Sequence, residues 1–547
     1  MSDAEWWRSA AIYQIYPRSF ADGNGDGVGD LAGIRAHLRY LADLGVDAIW
    51  LNPWYASPMA DAGYDVADYR AIDPLFGTLP EAEALISEAR GLGISTIVDI
   101  VPNHCSDAHP WFSEALAAGP GAAARELFWF RPGRGEHGDQ PPNNWQSIFG
   151  GPAWTRTTNP DGSAGEWYLH LFAPAQPDLN WQNPKVREEF EDVLRFWFDR
   201  GADGVRIDSA ALLVKDPALA DFDPGDRGTP HPFVDRDEVH EVYRSWRRIA
   251  DSYPRPRALI GEVWLPDDPE RFALYLHRDE LHTAFNFDFL GCPWEAAAVR
   301  RVVDDGIALH APVGAPATWV LSNHDVIRHV TRYGRADTRF SLEYRQFGAV
   351  SDLTLGARRA RAAVLLLLAL PGSAYLYQGE ELGLYEVEDI PGELRQDPMF
   401  HQGDGVNLGR DGCRVPMPWG GDEPPFGFSP PDAGVPPWLP QPRDWSQYTV
   451  ERQSRDPESM LHLYRRALRL RRAEPGLGDG PLRWLDAPAD VLSFTRDHGF
   501  VCVVNLAQQE VPLPPHREII LASQTVTGGM LPADTAAWLR IDWLRVE

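Results

Sequence analysis

The chain reads as an α/β protein built on a (β/α)8 barrel, with a subdomain inserted after the third strand and an antiparallel β-domain at the C-terminal end. Three observations predict this. Short apolar runs rich in β-branched residues alternate with helix-length amphipathic stretches through most of the 547 residues. The alternation breaks between Cys105 and Pro174, where Pro, Gly, Asn and Trp fill a stretch too long for a plain connection. After Arg469 short apolar runs such as Gly499-Phe-Val-Cys-Val-Val-Asn505 follow one another with turns between them. The expected segments are therefore 1–104 and 175–468 for the barrel, 105–174 for the insertion and 469–547 for the β-domain.

In chain order, Ala11 to Tyr16 is the first strand and Leu31 to Leu44 a helix with apolar residues at helical spacing. Asp47 to Leu51 is the second strand, Glu81 to Gly91 a helix, and Ser95 to Ile100 the third strand. Beyond the insertion, a helix over Lys185 to Asp199 leads to the fourth strand, Gly204 to Ile207. A further helix over Asp237 to Ser252 leads to the fifth, Ala258 to Gly261. Thr283 to Phe287, Thr318 to Leu321 and Ser373 to Tyr377 complete the eight. Eight such strands imply a TIM barrel, whose functional residues lie at the carboxyl ends of the strands. The apolar run Ala362 to Leu370 is too short to span a bilayer and is expected as a buried helix, and Pro424 to Pro442 as a long surface loop.

The formal net charge of −28 repels phosphate backbones and anionic lipid surfaces, which argues against nucleic-acid and membrane partners and for a neutral ligand. The chain holds 21 Trp and 17 Tyr, whose flat faces suit sugar rings as well as core packing. Cys105, Cys292, Cys413 and Cys502 have no paired spacing, so neither a disulfide framework nor a zinc site is expected. No cationic start followed by an apolar segment opens the chain, and a cytoplasmic location is expected.

Polar residues crowd the predicted strand ends: Asn103 and His104 after the third, Asp208 after the fourth, Glu262 after the fifth, His324 and Asp325 after the seventh. Within Gly204-Val-Arg-Ile-Asp208, Arg206 and Asp208 lie two apart and share one face of a strand, where the guanidinium can hold the acid ionised. Alone, that pair is equally readable as a salt bridge at a strand end. On one rim with two further carboxylates, it suits glycosidic bond cleavage, where one acid attacks the anomeric carbon and another protonates the departing oxygen. Asp208 is then the nucleophile and Glu262, among apolar neighbours and near Trp264, the general acid/base. Asp325 binds sugar hydroxyls. Separately, Asp22-Gly-Asn-Gly-Asp-Gly-Val-Gly-Asp30 sets oxygen side chains at alternate positions, a pattern that wraps a hard cation such as calcium, although Gly33 stands where an EF-hand has its bidentate Glu.

These residues resemble the α-amylase superfamily, glycoside hydrolase family 13, and within it the α-glucosidase and oligo-1,6-glucosidase branch. Asp99-Ile-Val-Pro-Asn-His104, Gly204-Val-Arg-Ile-Asp208, Gly261-Glu-Val263 and Leu321-Ser-Asn-His-Asp325 look like its four main sequence regions, and Gln176-Pro-Asp-Leu-Asn-Trp181 like the signature of the branch. The resemblance implies a retaining mechanism through a glucosyl-enzyme ester, with Arg206 supporting the nucleophile and His104 and His324 binding sugar hydroxyls. It implies that Tyr64 stacks under the glucose ring. It also implies that Asp65 and Arg414, the latter in Arg410-Asp-Gly-Cys-Arg-Val-Pro-Met-Pro-Trp419, close the pocket and make the enzyme exo-acting. Asp22, Asn24, Asp26, Asp30 and the carbonyl of Val28 match the calcium loop of the branch, a structural ion; no organic cofactor is implied.

Ser209 follows the nucleophile where many α-1,6-specific relatives have valine, which favours α-1,4 bonds. The segment Ala210 to Asp216 and the dipeptide Met417-Pro418 depart from the branch pattern. The expected activity is release of terminal glucose from small-molecule α-glucosides. Two alternatives stand beside it: a transglycosylase or isomerase of the trehalose-synthase or sucrose-converting type, with the same acids, and a non-catalytic glucosidase-like scaffold. Oligomeric state is not legible in the sequence.

Overall fold

The computed structural model describes residues 3–159, 161–225, 230–265, 268–341, 344–402 and 407–541. Residues 1–2 and 542–547, at the ends of the expected first and last segments, lie outside them.

Eight parallel strands form the central sheet: β1 (Ala11–Ile15), β2 (Ala48–Leu51), β3 (Ser95–Ile100), β4 (Gly204–Ile207), β5 (Ala258–Gly261), β6 (Thr283–Ala284), β7 (Thr318–Val320) and β8 (Ser373–Tyr377). Their order is β6-β5-β4-β3-β2-β1-β8-β7, each paired in parallel with its neighbour. No backbone ladder joins β6 to β7 among the described residues; a side chain bridges that seam. The Thr318 hydroxyl donates to the Ala284 carbonyl (2.6 Å) and accepts from the Asn286 N–H (3.1 Å).

The two-residue period of the strands sorts the core. Ile12, Trp50, Ile97, Ile260, Val320 and Tyr375 pack together inside the barrel, while Tyr13, Ile49, Val98, Val205 and Leu259 belong to the larger core beneath the helices. Going up the strands by two residues from Ile12, Ile97 and Gly204 leads to Gln14, Asp99 and Arg206. All three are 2 % exposed or less. Buried polar groups at this level need partners, and they find them in one another and in the rim above.

Two expected elements differ. The sixth strand stops at Ala284 because the Asn286 side chain accepts from the Phe289 N–H and caps a helix over Phe287–Gly291, so the aromatic alternation of the sequence is overridden by a cap. The helix over 31–44 is two, Leu31–Ala36 and Leu38–Leu44, joined at His37, whose backbone leaves the helical region and whose Nδ1 lies 2.8 Å from the Gly33 carbonyl oxygen.

In the stretch between Cys105 and Pro174, Phe130–Arg131, Ala164–Leu169 and Trp154–Thr158 form an antiparallel three-stranded sheet. Its core of Trp129, Trp145, Trp154 and Leu169 takes in Leu219 and Phe233 from the loop after β4, so this unit and that loop pack as one wall of the cleft. After helix Met460–Ala473 come the five strands of an antiparallel sheet. It docks on helix Leu353–Ala369, the buried apolar helix, through the Trp538 indole, which donates to the Leu365 carbonyl (2.9 Å). The Pro-rich stretch over 424–442 runs over the surface but is pinned by the buried side chains of Phe426, Phe428 and Leu439. Among the described residues, no helix is long and apolar enough to cross a membrane.

Candidate active site

Above the polar layer of the barrel lies a cavity of ≈ 340 Å³, lined by Tyr64, His104, Asp208, Ser209, Glu262, His324 and Asp325, and also by Asp61, Arg410 and the rings of Phe149 and Phe172. Its floor is organised by Arg206. One nitrogen, Nη1, donates to Asp99 Oδ1 (2.9 Å) and Asp208 Oδ1 (2.8 Å), and Nη2 forms an ion pair with Glu262 Oε2 (2.7 Å). The expected pairing of Arg206 with Asp208 is present, but the guanidinium is shared among three carboxylates from three adjacent strands.

That sharing sets the electrostatics. Burial pushes Asp208 up to about 6, and Arg206 only partly opposes it because Asp99 lies on the same nitrogen. Glu262 is pushed up to about 7 by burial, against Arg206 and with the nearby charges of Asp208 and Asp325. Asp99 is also raised, to about 7, by burial. With one cation for three acids, the cluster holds a proton near neutrality. Asp99 accepts from Arg206, from the Trp50 indole (3.2 Å) and from the Tyr64 hydroxyl (3.2 Å), all of which favour its ionised form. Glu262 receives Arg206 and the Ser209 N–H (2.9 Å) on Oε2, leaving Oε1 to carry the proton.

Asp325 has the opposite environment. Burial works against its charge, but the guanidiniums of Arg410 and Arg414 (3.1 and 3.0 Å from Oδ1) outweigh burial and hold the carboxyl well below the usual range, with the uncharged His324 ring at 3.3 Å from Oδ2. The two histidines are neutral: burial lowers His104 to about 3 and His324 well below its ordinary value. His324 Nδ1 accepts from the Gln14 amide (2.7 Å), which places the ring proton on Nε2, 2.6 Å from the Tyr64 hydroxyl oxygen. The Gln14 amide also bonds Asn52 Oδ1 (2.9 Å), and Asn52 donates in turn to Tyr64 (2.6 Å). Tyr64 and His324 lie nearly parallel, 6° between their planes.

Asp65 and Arg414 do not close the pocket. Asp65 is fully buried and its carboxylate accepts from the N–H groups of Ala60 (2.8 Å) and Asp61 (2.9 Å), tying its own loop together. Next to Tyr64 in the chain, it is not among the residues that line the cavity. Arg414 is 1 % exposed, donates from Nε to the His324 carbonyl (2.8 Å) and supports Asp325 from behind. The pair that lines the cavity is Asp61 and Arg410, 2.6 Å apart. Burial raises Asp61 to about 6 against the Arg410 charge, and Asp397 bonds Arg410 from the far side (2.7 Å). Arg410 opens the motif already singled out, four residues before Arg414, whereas Asp61, three residues before Tyr64, lies outside every motif read from the sequence, and linear spacing does not say which acid or arginine of a loop turns inward.

A buried lysine completes the site. Lys215 Nζ lies 2.7 Å from Asp178 and 2.5 Å from Asn103 Oδ1, joining the Gln176–Trp181 segment to the loop of His104. Asn103 donates to His104 Nδ1 (3.1 Å).

Outside this cavity, the loop from Asp22 to Asp30 is wound on its own acids. Asp22 accepts from the N–H groups of Gly25 (2.7 Å) and Gly27 (2.9 Å), and Asp30 from those of Gly23 (3.1 Å) and Gly33 (2.7 Å). Asn24 and Asp26 each accept two residues on, from Asp26 and Val28. Burial raises Asp30, and the Asp22 charge adds to it. Two buried acids, an amide and an exposed acid in one short turn are a donor set that fits a hard cation.

Comparison with known proteins agrees with these features. A family model described as alpha amylase, catalytic domain, matches residues 14–480. A probable alpha-glucosidase of Rhizobium meliloti (strain 1021) is 38 % identical over 93 % of this chain and 92 % of its own length. An oligo-1,6-glucosidase of Parageobacillus thermoglucosidasius is 35 % identical, over 85 % of this chain and 84 % of its own. The crystal structure of an alpha-glucosyl transfer enzyme superposes with a TM-score of 0.83 at 38 % identity, covering 98 % of this chain and 99 % of that one.

Proposed function

The chain belongs to the α-amylase family of glycoside hydrolases, family 13, and we propose that it is an exo-acting α-glucosidase that removes terminal non-reducing glucose from short α-glucosides. One observation carries the reading: Asp208 and Glu262 sit on the two terminal nitrogens of Arg206 in a small cavity lined at one side by the Asp61–Arg410 pair.

Asp208 attacks the anomeric carbon as Glu262 gives its proton to the departing oxygen, and a glucosyl ester forms. Glu262, now ionised, takes a proton from water, which attacks the same carbon and releases α-glucose. Two carboxylates gripped by one guanidinium favour the short spacing of a retaining site, roughly 5–5.5 Å, over the wider gap that an inverting enzyme needs for its water. Asp325, ionised, His104 and His324 hold hydroxyls of the glucosyl ring, and Asp61 with Arg410 limits how far the sugar chain extends. Ser209 beside the nucleophile favours α-1,4 bonds.

A second reading is transfer of the glucosyl group to a sugar rather than to water, favoured by the likeness to an alpha-glucosyl transfer enzyme. Proton NMR of the protein with maltose, isomaltose, sucrose and trehalose in turn separates the two. Free α-glucose as the first new anomeric signal, earliest from maltose, is the expected result; a new disaccharide with little glucose would overturn hydrolysis in favour of transfer.

The proposal includes a structural calcium ion held by Asp22, Asn24, Asp26, the Val28 carbonyl and Asp30. A bound cation stabilises only the folded loop, so at a hundredfold excess over Kd it adds about 2.7 kcal/mol. Chelation should lower the melting temperature and added calcium restore it, whereas metal-free protein with an unchanged melt would count against the ion. A cytoplasmic location is part of the same proposal, supported by four buried, unpaired thiols.

A further inference from the structure

Ser209 touches both reacting carboxylates. Its hydroxyl donates to Asp208 Oδ2 (3.0 Å) and its N–H donates to Glu262 Oε2 (2.9 Å). It holds this position with a backbone φ of +48°, in the left-handed region that a serine seldom occupies. A residue kept in such a conformation inside a cavity is placed there by its surroundings, and function is a common reason. Asp208 Oδ1 is taken by Arg206, so Oδ2 is the oxygen left to bond the sugar, and the Ser209 hydroxyl is the donor aimed at it.

We propose that the Ser209 hydroxyl is a catalytic group that assists breakdown of the glucosyl-enzyme. This rests on the glycosidase reading above. In the first step Oδ2 gives an electron pair to the anomeric carbon, the glycosidic bond breaks and its oxygen takes the Glu262 proton. As an ester oxygen, Oδ2 is then a poor acceptor and the Ser209 bond weakens. In the second step water, losing a proton to Glu262, attacks the carbon; the bond from the carbon to Oδ2 breaks and its electron pair returns to Oδ2. The charge reappears on the atom Ser209 faces, while Arg206 serves the other oxygen. Ester breakdown therefore gains from the hydroxyl, and ester formation does not.

The test is quench-flow of the Ser209→Ala and Ser209→Gly variants with p-nitrophenyl α-glucoside, following p-nitrophenol release and the glucosyl adduct by intact mass. Both variants lack the hydroxyl, but only glycine relieves the left-handed backbone. A hydrogen bond to a charged group corresponds to a roughly 10- to 100-fold slower decay of the adduct. Decay slowed to that extent in both variants, with adduct formation no slower than in the native protein, is the expected result. Unchanged decay in both would overturn the role, and slowed decay in only one would assign the effect to the shape of the turn and overturn it equally. Slower formation with unchanged decay would make Ser209 a substrate contact instead. Failure of the glycosidase reading is distinguishable, because native protein would then release no p-nitrophenol and carry no adduct.

Discussion

Replacing Asp208 by asparagine is expected to lower turnover of any α-glucoside by on the order of 10⁴-fold or more while leaving the fold in place. The loss follows from chemistry: an amide oxygen is a weak nucleophile, and no other carboxylate in the cavity has a free oxygen in the same position. Asp99 is engaged by Arg206, Trp50 and Tyr64, and Asp325 by two arginines. The retained fold follows from electrostatics. Burial raises the Asp208 pKa to about 6, above its value in an unfolded chain, so its contribution to stability is lost as pH rises through about 6 and its charge costs stability at pH 7. Asparagine removes a negative charge from a cluster that holds three acids on one guanidinium. The melting temperature at pH 7 should therefore equal or exceed that of the native protein. Differential scanning calorimetry beside a turnover assay checks both halves, and a variant with near-native turnover would remove Asp208 from the role of nucleophile.

The second large effect concerns Glu262 and pH. In the proposed mechanism Asp208 acts ionised and Glu262 protonated, so kcat/KM should rise as pH passes about 6 and fall as it passes about 7, a narrow bell centred between them. These are values of the coupled cluster rather than of isolated groups. Glu262→Gln keeps the contact to Arg206 but cannot donate or take a proton. It should cost roughly 10²- to 10⁴-fold with a sugar leaving group, less with an activated phenol in the first step, and should abolish the alkaline limb. Asp99, also raised to about 7, is the competing source of that limb. Persistence of the limb in Glu262→Gln would transfer it to Asp99 and leave Glu262 without the acid/base role.

The order of the barrel strands and the residues at their ends were legible because each rests on a local property. Short apolar runs between helix-length stretches mark Gly204 to Ile207 and Ser95 to Ile100 as strands over the range they adopt. A strand end in a barrel can point only to one rim, so Asp208, Glu262 and Asp325 could be placed on it without coordinates. Where a short side chain competes with the ladder, as at Asn286, the periodicity misled and the strand ended early.

What only the tertiary structure decided lies between elements. The resemblance pointed to Asp65 and Arg414; backbone N–H groups claim Asp65 and the carbonyl of His324 takes the Nε of Arg414, and it is Asp61 and Arg410, each four residues earlier, that line the cavity. Gln14, Asn52 and Lys215 had no signature of their own, because each acts on a partner from a distant part of the chain. Arg206 and Asp208, two apart, were read as a pair; the register of β3 on β4 brings Asp99 to the same guanidinium and changes the charge balance of the site. By itself the sequence determined which groups reach the rim, since that depends on spacing along one strand. Which of them share a proton and which enclose the cavity depends on distances between strands and loops, and only the folded chain sets those.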